Sequence, residues 1–195
     1  NVSPLKSDLE IQRNVEWVSL KPNTDVALIL SLCYEINKAK ATKRDFIDKY
    51  TVGFEQFSAY LKGHTDGVVK NANWASRITG ISKEIIFDLV RKIRNSKRTM
   101  ISVSWSLTRQ SHGEQPYWAA IALACIIGDL GKPGGGIGFG YSAMNSIGNH
   151  YKKIPAVSMP QGINKVKKFI PVARISDMLE SPGTSFDYNG SKLTY

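Results

Sequence analysis

Apolar residues recur at helical spacing through most of the first 130 positions, separated by short polar interruptions. Val26 to Asn37 carries Ala27, Leu28, Leu30, Leu32 and Ile36 and predicts a helix. Asn23 or Thr24 is its expected cap, and Asp25 suits its first turn, where a carboxylate meets the positive end of the macrodipole. Thr42 and Asp45 open a second, short helix with Phe46, Ile47 and Tyr50 on one side. Phe54, Phe57, Tyr60 and Leu61 mark a third, closed by Gly63. Asn73–Ile78 is a brief helix before Gly80. Ser82 then caps a strongly amphipathic one, with Ile85, Ile86, Leu89, Val90 and Ile93 inward and Arg91, Lys92 and Arg94 near its carboxyl end.

Strand signals are fewer. Glu16–Leu20 alternates and predicts a short strand, and Thr99–Trp105 is the best strand in the chain. Pro116 stands in the first turn of a helix running to about Gly128. Glycine is then dense from Gly128 to Gly148, as in a chain that bends tightly or approaches something closely. Residues 149–170 carry Lys152, Lys153, Lys165, Lys167 and Lys168 without an acid, so 141–170 is expected to be a mobile basic loop. Ile170–Leu179 predicts a terminal helix, and Pro182-Gly183 and Asn189-Gly190 are turns. Helices alternating with two or three strands predict an α/β fold with a small, mainly parallel sheet and flanking helices. So few strands suit an incomplete doubly wound domain, with residues 1–195 forming a single fragment of it.

With 195 residues, 42% of them hydrophobic, the chain can build one sizeable core, and collagen-like, disordered or disulfide-stapled classes are excluded. The net charge of +10 fits either a generally Lys-rich proteome, the simpler account, or an anionic partner. Nucleic acid is not expected, because the basic residues are dispersed and rarely alternate with aromatics. A negatively charged cofactor is. The apolar run Trp118–Ile127 falls short of the roughly 18 residues that span a bilayer, so no membrane insertion is expected. Cys33 and Cys125 lie in apolar stretches and read as buried thiols, unsuited to a zinc or iron–sulfur site. His64 and His150 lie in polar loops and read as solvated. No signal peptide is visible, and both ends look cut, as in a piece of something larger.

Three segments could carry chemistry. Ser104 to Gln115 joins the best strand to a helix amino end, the edge at which α/β proteins gather ligands. Trp105, Arg109 and His112 there offer a planar cation and two flat rings to a phosphorylated heterocycle; the same residues also fit an ordinary polar loop with a folded-in Trp. In Lys21-Pro-Asn-Thr-Asp25 the carboxylate is either a helix cap or an acceptor for the paired donors of a guanine edge. Gly131 to Gly140 is neither a P-loop nor a dinucleotide fingerprint, and reads most simply as turns. No Ser–His–Asp, paired-carboxylate or Cys–His arrangement stands out.

These segments resemble the molybdenum oxidoreductases of the dimethyl sulfoxide reductase family, of the S- and N-oxide reductase type. The likeness runs through Lys21-Pro-Asn-Thr-Asp-Val-Ala27, Tyr50-Thr-Val-Gly-Phe54, Tyr60-Leu-Lys-Gly63, Trp105-Ser-Leu-Thr-Arg109 and His112-Gly-Glu-Gln115. It continues through Gly128 to Gly136, Ile170-Pro-Val-Ala-Arg174 and Phe186-Asp-Tyr-Asn-Gly190. It implies a fragment of a longer enzyme that binds molybdenum through a bis(molybdopterin guanine dinucleotide) cofactor, this stretch being part of a Rossmann-like dinucleotide-binding domain. By motif, Asp25 resembles the guanine-edge acceptor, shaped by Pro22 and Asn23. Trp105, Ser106, Arg109 and His112 resemble the turn beside the pterin and the substrate funnel, with Trp105 and Arg109 in catalysis. Gly113, Gly134 and Gly135 would let backbone approach the cofactor. The family's serine ligand to molybdenum belongs to an earlier part of its chain, so no metal ligand is assigned.

The resemblance implies oxygen-atom transfer from a small S- or N-oxide (trimethylamine N-oxide, dimethyl sulfoxide or biotin sulfoxide) to molybdenum. Electrons come from a cytochrome or a thioredoxin-like reductant, and the remaining domains of the same chain complete the site. A periplasmic location is expected, or a cytoplasmic one for the biotin sulfoxide type. The sequence departs from the pattern after Gly140, where Lys152 to Lys168 is basic and unlike the relatives. Two other readings stand beside this one: a formate-dehydrogenase-like molybdoenzyme and a non-catalytic nucleotide-binding module.

Overall fold

A computed structural model describes residues 1–6, 14–140 and 159–195 apart from 161, 164 and 167. The chain divides into two compact units, Asn1–Lys153 and Ile154–Tyr195. His150, Lys152, Lys153 and Lys167, and with them most of the expected basic loop, lie outside the described residues.

In the first unit the predicted apolar stripes become a helical layer around α1 (Asp25–Lys38). Leu28, Leu32, Cys33 and Ile36 of α1 are buried in the core, and α4 (Ala72–Thr79), α5 (Lys83–Asn95) and α6 (Gln115–Ile127) pack against that helix. The short α2 (Arg44–Tyr50) and α3 (Phe54–Leu61) contribute Ile47 and Leu61. Fully burying such a side chain is worth about 2 kcal/mol. Ser82 caps α5 as expected, its Oγ accepting from the Ile85 N–H at 3.4 Å. Asn71 caps α4 by accepting from the Trp74 N–H at 2.9 Å. Gly128 closes α6 in the left-handed conformation that glycine adopts without strain.

Two expected caps are not formed. The Thr24 hydroxyl donates back to the Lys21 carbonyl at 2.6 Å, and Asn23 takes a left-handed backbone, so the turn before α1 uses both residues for itself. Thr42 donates to Asn37 Oδ1 at 3.2 Å, which leaves Lys43 at the start of α2.

Lys70 is buried at 2% exposure with all its donors engaged. Its ammonium donates to Asp66 Oδ1 and Oδ2 at 2.9 and 2.6 Å and to the Val68 carbonyl at 2.6 Å, beneath the Tyr60 ring. That satisfaction is what makes an interior charge tolerable.

The strand β1 (Met100–Val103) pairs in parallel with β2 (Gly136–Phe139), in register from Met100–Gly136 to Val103–Phe139. With α6 between them this is a βαβ unit, a small parallel sheet flanked by helices. β1 stops short of the predicted Trp105 because Ser104 Oγ accepts from the Ser106 N–H at 3.3 Å and turns the chain into a 3-10 helix, Trp105–Thr108. The glycine-rich stretch, expected to bend tightly or approach something closely and not read as a strand, supplies β2, with Gly136 and Gly138 buried in the pairing. Conversely, Glu16–Leu20 forms no ladder: Val18 makes one isolated bridge to Val2, while Leu20 is drawn into the helical core.

The carboxyl ends of α1, α5 and α6 meet the start of β1 around one cleft. There the Thr99 N–H donates to Asp129 Oδ2 at 3.0 Å. The amino ends of α1 and α6 therefore lie away from that cleft, with the carboxyl end of β1.

In the second unit α7 (Ile175–Glu180) follows a 3-10 turn, Val172–Arg174, and the expected helix from Ile170 is shortened accordingly. The hairpin β3 (Ser185–Tyr188) and β4 (Ser191–Thr194) turns at Asn189-Gly190, both residues left-handed. Phe186 stacks on Tyr195 at 4.8 Å, and the Arg174 guanidinium lies over the Phe186 ring.

Candidate functional site

Where β1 ends, the chain winds through the 3-10 turn and a short loop before Gln115 opens α6. Ser104 and Ser106 hydroxyls lie 2.9 Å apart, and the Tyr117 hydroxyl donates to the Ser104 carbonyl at 2.8 Å, tying the first turn of α6 to the strand end. Burial pushes the Tyr117 phenol above its usual range, against the Thr108 backbone N–H and the Arg109 charge. Phe139, the last residue of β2, packs edge-on to Tyr117 at 5.2 Å and tilted to Trp105 at 5.7 Å. Trp105 is thus held in an aromatic corner.

Its indole lies against Gly140, where a Cβ would stand 1.8 Å from Nε1; no residue but glycine fits. Trp105 Nε1 is buried without a hydrogen-bond partner among the described residues. Arg109 is exposed and makes no ion pair among them. His112 is exposed on a left-handed backbone, φ 55°, with Nδ1 3.9 Å from Glu114 Oε1. The next residue must be glycine, because a Cβ on Gly113 would sit 2.2 Å from the Thr108 carbonyl oxygen. A hollow of about 520 Å³ opens here, lined by Thr108, Gln110, His112, Tyr117, Trp118 and Phe139. Trp118 is 62% exposed, a large aromatic face left to solvent.

Trp105, Ser106, Arg109, His112 and Gly113 are therefore brought together in one turn. Asp25 stands in the first turn of α1, with Pro22 and Asn23 exposed in the turn before it, at the end of the helical layer away from the cleft. Burial raises the Asp25 carboxyl above its usual range, partly offset by a hydrogen bond from its own backbone. Gly134 and Gly135 are not brought to the turn. They precede β2 at the opposite end of the strands from Trp105, and a Cβ on Gly135 would meet Asp129 at 2.8 Å. Tyr117, Phe139 and Gly140 were not singled out from the sequence; the short-spaced glycines around Phe139 were the available signal.

Cys33 is buried, and its burial pushes the thiol up, as expected of an inert core residue; Cys125 is half-buried. His64 is exposed. Among the described residues no helix is long and apolar enough to cross a membrane, and no three His, Cys, Asp or Glu side chains gather as a metal site.

The family model "Molybdopterin oxidoreductase" matches residues 1–182. The chain belongs to the molybdopterin oxidoreductase family. Membership implies a molybdenum–molybdopterin cofactor. Within the family the chain is 45% identical to biotin sulfoxide reductase of Cereibacter sphaeroides, covering 100% of this chain and 26% of that protein. It is 38% identical to the dimethyl sulfoxide/trimethylamine N-oxide reductase of Rhodobacter capsulatus (100% and 25%). It is 37% identical to the trimethylamine-N-oxide reductase of Haemophilus influenzae (100% and 25%). The chain thus spans about a quarter of the length of these relatives. The fold is also that of acetylene hydratase from Pelobacter acetylenicus, with a TM-score of 0.57 at 19% identity over 68% of this chain and 17% of that one.

Proposed function

We propose that the full-length protein reduces small S- or N-oxides at a molybdenum centre held by two molybdopterin guanine dinucleotides, and that this chain grips one of them and lines the substrate funnel. The observation that carries the reading is the Trp105 turn, where among the described residues a buried indole N–H lacks an acceptor and Arg109 lacks a counter-ion. A native fold rarely leaves a buried donor so, and the edge where it lies is the one that α/β sheets use for ligands. A flat, phosphorylated pterin supplies both an acceptor and an anion. The donor set fits the group.

In this reading Asp25, flanked by Pro22 and Asn23, accepts from the guanine edge, and must be ionised to do so. Ser106, His112 and Gly113 contact the pterin or its phosphates. Gly134 and Gly135 are left out, since packing on Asp129 already accounts for Gly135. When bound, the molybdenum group supplies the two-electron chemistry of oxygen-atom transfer. Arg109 orients the oxide through a charge-assisted hydrogen bond to its partly negative oxygen. Trp105, Phe139 and Tyr117 form an aromatic wall at the side of this site.

The 45% identity to a biotin sulfoxide reductase makes biotin sulfoxide the first substrate to try and the cytoplasm the first compartment. A thioredoxin-like reductant suits that type, and a cytochrome with a periplasmic location suits the trimethylamine-N-oxide type. The test uses the full-length protein. Acid hydrolysis of its cofactor should release GMP, and Arg109→Ala should lower turnover or raise KM for the oxide while molybdenum is retained. Release of no GMP overturns the dinucleotide assignment, and unchanged kinetics overturn the role of Arg109.

A further inference from the structure

At the far end of the helical layer from the Trp105 turn lies a cleft of about 360 Å³ with an unusual charge inventory. Its apolar floor includes Ile36, Ile93 and Ile127, and Lys40, Lys43, Arg94, Lys97 and Arg98 surround it. None of these five makes an ion pair among the described residues. Elsewhere in the same unit some cations are paired, Arg44 with Asp48 and Glu55, Lys70 with Asp66, and Lys92 with Glu16 and Asp88, but nowhere else among the described residues do five without an ion pair line one cleft. The one carboxylate at the cleft is already used, since Asp129 Oδ2 accepts from Thr99 N–H and Oδ1 lies 3.1 Å from Lys132 Nζ. Burial pushes Asp129 up, but Thr99, Lys132 and the Arg98 charge outweigh it and hold the carboxyl below its usual range.

The walls are fixed by backbone contacts. Lys43 N–H donates to the Ile126 carbonyl at 3.0 Å, and Ala41 N–H to the Ile36 carbonyl at 3.0 Å. Gly128 permits this close approach, for a Cβ there would meet Lys43 Cβ at 2.6 Å. Three helix carboxyl ends favour positive charge here. Five unmatched cations converging on a concave, rigid site repel one another until an anion enters.

We propose that this cleft binds a compact polyanion, a small molecule bearing a di- or triphosphate, at a site separate from the Trp105 turn. The volume lies in the range of small-molecule pockets and exceeds what one phosphate fills, and the apolar floor accepts an organic body. Concavity favours such a ligand over the flat, acidic face of a protein.

The experiment is calorimetric titration of the full-length, cofactor-loaded protein with inorganic pyrophosphate, and with a poly-glutamate peptide as the competing class. Pyrophosphate should bind, more weakly as salt rises. The double variant Lys97→Glu/Arg98→Glu should lose affinity by about tenfold or more, the scale of a charge-assisted contact. Lys40→Gln/Lys43→Gln, on the opposite wall, should weaken binding in the same direction, and Lys62→Glu, outside the cleft, should not. Molybdenum content should stay unchanged in all three, which separates this site from the cofactor's. No pyrophosphate binding, binding indifferent to both double variants, or binding of poly-glutamate alone would each overturn the proposal.

Discussion

The two ends of the β1–β2 pair are built from similar materials and finished differently. At the amino end the buried carboxylate is fully partnered: Asp129 takes the Thr99 N–H and Lys132, and Gly135 is shaped around it. At the carboxyl end, among the described residues, a buried indole N–H has no acceptor and Arg109 no counter-ion, and His112 has a left-handed backbone. One end closes the fold and the other is held open at some cost in stability. Such unsatisfied, strained positions mark where a ligand is expected.

Substitutions at the two ends should therefore fail in different ways. The largest effect is expected from Gly140→Ala, which drives a methyl into the Trp105 indole: turnover of the full-length enzyme should fall by about 100-fold, the scale of an ångström's misplacement. Tryptophan fluorescence should shift with it, and unaltered turnover would remove the indole from the site. Asp129→Ala should instead cost about 2 kcal/mol of local stability, read as lost exchange protection of the Thr99 amide, with KM for the oxide unchanged. A changed KM would join the two ends that are here kept apart.

Trp105→Phe sharpens the contrast. It removes the unsatisfied donor, so the cofactor-free protein should gain about 1 kcal/mol while cofactor retention falls. Lower stability together with full retention would mean the N–H has a partner inside the fold. The smallest effect is expected at Asp25. Because its carboxyl is raised, the folded chain binds that proton more tightly than the unfolded one. Its contribution to stability is complete below the unfolded value near pH 4 and is lost as pH rises through the folded value. Asp25→Asn should thus be slightly more stable than the parent at pH 7 but not at pH 3 in thermal unfolding, and should bind GMP less well. A variant less stable at pH 7 would reverse the sign.

The helices were legible from local signals: α1 from its 3.6-residue stripe, α5 from a stripe and the Ser82 cap, and α6 from an apolar run opened by Pro116 and closed by Gly128. β2 was not, since Gly-Ile-Gly-Phe has no β-branched alternation and becomes a strand only through its parallel neighbour. The hairpin was half legible: Asn189-Gly190 announced the turn, but Ser-Phe-Asp-Tyr and Ser-Lys-Leu-Thr are too short and polar to announce the arms. At the site, Trp105 and Arg109 could be read from a turn after a strong strand. The clamp of Tyr117, Phe139 and Gly140 could not, because it joins three elements that are distant in sequence.

Lys70 shows what the cations of the cleft lack. With two carboxylate oxygens, a carbonyl and an aromatic face around it, its charge is neutralised where it stands. Dissolved ions, which damp fields over about 8 Å at physiological strength, have little there to weaken. The Lys70–Asp66 pair already cancels within the formal +10, so the excess that an approaching molecule feels is carried by other residues. What reaches outward comes from charges such as those of the cleft, and ionic strength should tune that attraction while leaving the interior lysine untouched.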